Sequence, residues 1–298
     1  MSETVLKNFN EFLLNRKEFS TNTINSYDRD LKKIFLYLEE KGYSTQDYSW
    51  LNEEFISRYI DYLREKEYSS ATLSRTISTV HIFVEYLWFE KIIPNRNIDV
   101  HIDKGEHQDL VVFTRHEISR ILDVNTKNLM GYRDKAIFEL SYSIGIKPTE
   151  CINLELRDVN TTIGYLKYRK KDGYRTIALN KESVEAIENY IVELKKEYPN
   201  IKDDSKLFLN HDGEGISRQG FWKIFKKRQQ ELGLTKELNT MNFRNSLAIH
   251  LLEDKVPAEE VQELLGLKNI HSLKLYFSSL EGNKSKRMMT NHPRKTIN

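Results

Sequence analysis

The chain has 298 residues, 39% hydrophobic and 30% charged, with 12 Gly, 5 Pro and one Cys; this length suits about two ordinary domains, and the composition excludes a collagenous or disordered chain. No stretch approaches the ~20 consecutive apolar residues of a membrane span, and Met1 to Arg16 alternates polar and apolar residues instead of forming a signal-peptide block, so a cytoplasmic protein with no membrane partner is expected. The net charge of +2 is too small to argue nucleic-acid binding from bulk electrostatics, and the single Cys151 excludes an intramolecular disulfide and most cysteine-based metal sites.

Apolar residues recur at three- and four-residue spacing from Val5 to Leu14 and again from Thr23 to Leu38, through Ile24, Tyr27, Leu31, Ile34, Phe35 and Leu38. Both segments predict amphipathic helices, the second capped from Ser20-Thr21-Asn22. Phe55, Ile56, Tyr59, Ile60, Tyr62 and Leu63 form a third stripe. After Ser69-Ser70 a longer one runs through Leu73, Ile77, Val80, Phe83, Val84 and Leu87. Residues 1–95 therefore predict a bundle of about four helices that Pro94-Asn95 stops. Residues 96–110, rich in Asn, Asp, His and Gly, read as a linker.

The second domain, 111–298, opens with Thr114, which is placed to cap a helix through Ile118 and Leu122, with Glu117 as the matching capping-box acid. Tyr132 to Tyr142 continues as helix. Strand signals follow in 164–168 and 174–179, flanking a polar turn, Arg169 to Gly173, which makes a basic hairpin. Helices resume at 181–198, 217–232, 242–253 and 258–265, with a last short one around Ser272. Cys151, in an apolar helical pattern, reads as core. No internal repeat and no low-complexity segment interrupts this order.

Positive charge is concentrated towards the C-terminus. Lys and Arg number 14 against 17 Asp and Glu over residues 1–105, a balance of −3, so with +2 overall the remainder carries +5. The clusters are Arg169-Lys170-Lys171, Lys223 with Lys226-Lys227-Arg228, and the tail Lys284, Lys286, Arg287, Arg294 and Lys295. Any one of them is either a phosphate contact or a solvated face.

Four words occur in a fixed order. Arg133-Asp134-Lys135-Ala136 precedes Tyr142 and the run from Gly145 through Ile146-Lys147-Pro148-Thr149 to Glu150. The hairpin carries Lys170. Met241-Asn242-Phe243-Arg244-Asn245 precedes Ala248-Ile249-His250-Leu251-Leu252, and Leu264-Leu265-Gly266-Leu267 stands nine residues before Tyr276. This series resembles the tyrosine site-specific recombinases, the Xer-like and phage-integrase-like family, over nearly the whole chain. Ser20 to Tyr27 with Asp30-Leu31, and Ser70 to Arg75, resemble helices of that family's core-binding domain. The resemblance implies a mainly α fold: a helical, SAM-like core-binding domain, and a mixed α+β catalytic domain with a small β-sheet.

The resemblance further implies DNA recombination or integration on duplex DNA, in multimers with itself or a partner recombinase, without cofactor, metal or external energy source. In such chemistry a tyrosine attacks a phosphodiester, leaving a phosphotyrosyl link and a free 5′-hydroxyl. A phenol near pKa ~10 is a weak nucleophile, and the attacked phosphate gains charge, so cations and donors must surround it. Carried over by position, Tyr276 is the nucleophile, Arg244 a phosphate clamp and Lys170 the general acid, with Arg169 and Lys171 as alternatives one residue either side. Lys147 stands where the family has its first arginine and keeps the charge without the planar fork. Met241 and Leu267 stand where the family has histidines and donate no strong hydrogen bond. Arg75, Arg169, Lys171 and Arg175 are the expected DNA contacts.

Two readings of the site stand side by side. In one, recombination proceeds slowly or with a partner subunit; in the other, a catalytically inactive homologue binds DNA as a regulator or scaffold. Tyr276 with Phe277 can equally be an aromatic pair packing a terminal helix, and Arg244 can be an ion pair with a nearby acid. His250 and His271 read as helix-face residues, His271 being the better placed to reach inward, and Asn245 is a further candidate donor. A metal-dependent nuclease is disfavoured, because no clustered signature such as H-E-x-x-H, or a D-x-D on one helix face, is found.

Overall fold

Periodic apolar stripes become helices through most of the chain. The computed structural model describes residues 2–44, 48–94, 110–170, 173–267 and 269–280; the side chains of Ser2, Glu3, Lys170 and His271 lie outside that description, as do most of the expected linker and the basic tail. The chain divides into two units, Met1–Gln108 and Asp109–Asn298.

In the first unit, α1 (Ser2–Asn15), α2 (Thr21–Glu40), α3 (Glu53–Glu65) and α4 (Ser70–Phe89) form a bundle. Ser20, Asn52 and Ser69 each cap the helix that follows by accepting a backbone N–H in its first turn. The stripes meet in an aromatic core. Phe83 packs edge-on to Phe9 at 5.3 Å between ring centroids and stacks near Trp50. Helix α4 ends at Phe89, ahead of Pro94, because the chain turns out through Lys91 in the left-handed region. Beneath the bundle surface, Asp30 is buried and takes a bidentate pair from Arg75, Nε at 2.7 Å and Nη2 at 2.9 Å.

The second unit contains α5 (Arg115–Leu122), α6 (Leu129–Ile144), α7 (Pro148–Cys151), α8 (Lys181–Glu197), α9 (Arg218–Glu231), α10 (Thr240–Glu253) and α11 (Ala258–Leu265). A 3-10 turn, Ile270–Leu273, leads into a helix over 274–280, here α12. Thr114 and Glu117 form the expected capping box on α5. The sheet has three strands, β1 (Val159–Asn160), β2 (Tyr165–Lys170) and β3 (Gly173–Ala178), antiparallel in the order β1-β2-β3. The β2–β3 ladder continues to Lys170 opposite Gly173, so the strands extend into the segment expected as a five-residue turn, Arg169 to Gly173. Gly173, at φ 125°, supplies a conformation that would strain other residues.

Pairing decides the faces of the hairpin. Leu166 lies opposite Ile177 and Tyr168 opposite Arg175, which places Arg175 on the inner face beside buried Leu166, Tyr168 and Ile177. Arg169 and Tyr174 take the outer face. The core of the unit gathers Phe113, Ile137, Phe138, Ile187, Tyr190, Phe208, Phe225 and Phe243, with Cys151 fully buried among them. Burial pushes the Cys151 thiol far up, so it stays protonated.

Candidate active site

Helix α10 runs through the middle of its unit, with every residue from Asn242 to His250 buried. Its start is set by Asn239, whose Oδ1 accepts the Asn242 N–H at 2.8 Å. A helix buried on all sides has no wet face, so its polar side chains must find partners inside the protein. Arg244, Asn245 and His250 each do.

Arg244, 8% exposed, donates from Nη1 to the Gly145 carbonyl at 2.7 Å and from Nη2 to the Leu265 carbonyl. Gly145 and Gly266 end α6 and α11 in the left-handed conformation, both at φ 59°. That geometry brings two helix C-termini, the negative ends of their dipoles, onto one guanidinium. Space is tight there: a Cβ on Gly145 would sit 2.9 Å from Leu265 Cδ2 and 3.3 Å from Arg244 Cγ.

Arg175 reaches the same helix end from β3. Its Nη2 donates to the carbonyls of Glu263 and Leu264, the latter at 2.7 Å, and its Nη1 to the Tyr168 hydroxyl at 3.3 Å. Three successive carbonyls of α11 thus accept from two arginines. Burial holds Arg244 below its ordinary pKa; the neighbouring Arg175 acts in the same direction, while Tyr276 and Glu150 oppose it. Two guanidiniums therefore meet at the end of α11.

Tyr276, on α12, is 7% exposed and packs with Leu247, Ala248, Leu265 and Leu273, with Leu267 against the edge of the cluster. Its hydroxyl donates to Asn245 Oδ1 at 3.2 Å. Burial raises the phenol pKa and the Arg244 charge only partly counters it. Phe277 points elsewhere, 40% exposed, so the two rings do not form the packing pair that adjacency suggested. Among the described residues, the hydrogen-bond partners of Arg244 are carbonyls.

The other expected site residues are more dispersed. Lys147 is exposed at the start of α7, where its backbone N–H donates to Glu150 Oε2 at 3.0 Å. Met241, in the first turn of α10, is 61% exposed. Leu267 is half-buried, its N–H bonded to the Gln262 carbonyl at 3.0 Å. Arg169 lines an open groove of about 560 Å³ with Lys167, Tyr168, Glu150, Asp158 and Lys206. Lys171 lies outside the described residues. Arg75, in the first unit, is held by Asp30, and Arg175 faces inward because strand alternation puts it with the core residues of the hairpin. From the basic cluster on α9, Arg228 is engaged by the carbonyls that end α5, at Arg120, Ile121 and Asp123.

His250 is a core residue and not a surface one. Its Nδ1 lies 2.7 Å from the Tyr142 hydroxyl, and burial, followed by the Arg115 charge, lowers its pKa so that the neutral ring is favoured. The contact between Asn245 and Tyr276 had one sequence signal, an amide directly after Arg244 in the middle of α10. Among the described residues, no group of three or more His, Cys, Asp and Glu is placed to hold a metal ion, and no helix is long and apolar enough to cross a membrane.

Comparison with known proteins matches both units. The profile of the Phage integrase family covers residues 111–282, and that of the phage integrase N-terminal SAM-like domain covers residues 6–91. The chain is 33% identical over 268 residues to a protein of Caldanaerobacter subterraneus subsp. tengcongensis named as a tyrosine recombinase, covering 89% of this chain and 90% of that one. It is 32% identical over 296 residues to tyrosine recombinase XerD of Staphylococcus epidermidis, covering 98% and 99%. Among solved structures, the fold is similar to the Tn1549 transposon integrase in complex with a circular intermediate DNA (TM-score 0.73, 16% identity, 95% of this chain and 98% of that one). It is also similar to a lambda integrase dimer bound to a COC′ core site (TM-score 0.68, 16% identity, 92% and 94%).

Proposed function

Because the chain belongs to the phage integrase family, the tyrosine recombinases, we propose that it binds duplex DNA and exchanges strands through a covalent link to Tyr276, slowly by itself and faster with a second copy or a partner recombinase on the DNA. On this reading residues 1–95 form the core-binding domain, 96–110 the linker and 111–298 the catalytic domain.

One observation carries the proposal: the Tyr276 hydroxyl is bonded to Asn245, the residue after Arg244 on α10, and feels the charge of that arginine. The Tyr276 oxygen attacks phosphorus as its proton passes to water, and the 5′-oxygen departs with a proton supplied from Lys170. Arg244 meets the charge that builds on the non-bridging oxygens. A guanidinium has five N–H donors; two of those on Arg244 are engaged by carbonyls here, which leaves donors for phosphate.

The slow rate is read from three substituted family positions. Lys147 offers a point charge without a fork, and Met241 and Leu267 offer no donor. Losing one preorganised donor typically costs about 10²–10³ in rate. A second reading, in which the chain binds DNA and never cuts it, is favoured by the apolar side chain of Leu267 against the cluster that buries Tyr276. A nicked suicide substrate bearing the cognate site, found by selection from random duplexes, separates the two. Covalent trapping that disappears in Tyr276→Phe supports recombination; tight binding with no trapping, even with a partner present, supports the second reading.

A further inference from the structure

The recombination reading leaves unexplained why a carboxamide sits beside the nucleophile. Asn245 is the residue after Arg244 on buried α10, and its Oδ1 accepts the Tyr276 O–H at 3.2 Å, with 5% of Asn245 and 7% of Tyr276 exposed. Among the described residues no other group hydrogen-bonds to this phenol. One turn of one helix therefore sets both the cation and the contact that fixes the reacting oxygen, and their spacing is as rigid as α10 itself.

We infer that Asn245 is a further residue of the reaction, resting on the proposed function: it positions the Tyr276 hydroxyl for attack and keeps it protonated until DNA arrives. The residue type fits that task. A buried hydroxyl needs an acceptor, which an apolar side chain at 245 would not supply. A carboxylate would accept more strongly, but its charge would repel the phosphodiester and hold the phenol protonated even after DNA is bound. The amide accepts without charge at any working pH. It is also too weak a base to take the phenolic proton, so it orients the nucleophile, and the proton leaves to another group.

One further feature agrees. Burial already raises the phenol pKa, and accepting its O–H acts in the same direction, because the bond exists only in the neutral form.

The test uses the full chain with 3-fluorotyrosine at position 276, whose ionisation is read by ¹⁹F NMR without DNA. Asn245→Asp, nearly isosteric, is expected to move the titration midpoint upward by about one pH unit or more, through its charge and stronger acceptance. Asn245→Ala is expected to move it downward, because the neutral form loses its bond. Midpoints that coincide in all three proteins, or an upward move in Asn245→Ala, overturn the inference. The same variants, with the natural tyrosine, are then offered the suicide substrate. Asn245→Ala is expected to keep its duplex affinity within about twofold while trapping falls about 10-fold to 100-fold, the scale of a nucleophile displaced by about 1 Å. Unchanged trapping in Asn245→Ala overturns the positioning role and leaves the recombinase reading intact. If the unmodified protein binds its site but never links to it, the recombinase reading fails, and the ¹⁹F midpoints still decide the contact.

Discussion

Replacing Arg175 by Met would keep the stem of the side chain in the inner face of the hairpin and remove every donor it offers to α11. The carbonyls of Glu263 and Leu264 and the hydroxyl of Tyr168 would lose their guanidinium partner. A hydrogen bond to a charged donor contributes about 1.5–3 kcal/mol when well shielded. Here Glu263 is exposed and Arg175 only half-buried, so water replaces part of what is lost. Relief of the repulsion with Arg244 offsets a little more. The net expectation is about 2 kcal/mol, or roughly 4–8 °C in the melting of a domain of this size. The loss should also be local: hydrogen exchange should speed up at the end of α11 and from Gly266 to Tyr276 before it does in α6 or α8. Arg175→Lys, which can satisfy one carbonyl at a time, should fall between the two. A melting change under about 1 °C, or exchange that rises evenly over the domain, would refute the assignment of Arg175 as the tie between the hairpin and the segment carrying Tyr276.

Three further outcomes follow from the same structure. Duplex affinity should fall steeply with salt, since neutralised phosphates release counterions; a flat log–log plot of affinity against salt would count against phosphate contact altogether. Restoring Lys147→Arg, Met241→His and Leu267→His together should raise covalent trapping through Tyr276, with Leu267→His alone lowering the melting temperature because it places a polar ring against an apolar cluster. The pH prediction rests on His250, whose folded pKa lies below the unfolded value of ~6.5 because it is buried. Unfolding then takes up a proton, so its contribution is fully present above pH ~6.5 and is lost as pH falls from there towards the folded pKa. Calorimetry from pH 7 to pH 5 should show that loss, and His250→Gln should flatten it; an equal slope in both proteins would place the acid sensitivity elsewhere.

Helix positions were legible from residue order alone because they depend on local spacing. The stripe from Ile24 to Leu38, the caps at Ser20 and Thr114, and the pairing of β2 with β3 across a polar turn all follow from side chains a few residues apart. The ordered words around Lys147, Lys170, Arg244 and Tyr276 likewise pointed to the family, which the profile matches show. Even the inward face of Arg175 was available in principle, since strict alternation with Leu166, Tyr168 and Ile177 puts it there. What spacing does not contain is which groups meet across distant elements. The carbonyls at residues 145 and 263–265 that hold Arg244 and Arg175, and the closure of Asn245 onto Tyr276 from 31 residues away, depend on how α6, α10, α11 and the hairpin pack. A buried polar group takes whichever partner packing brings within reach, so the partners of these side chains became visible only once the helices were in place.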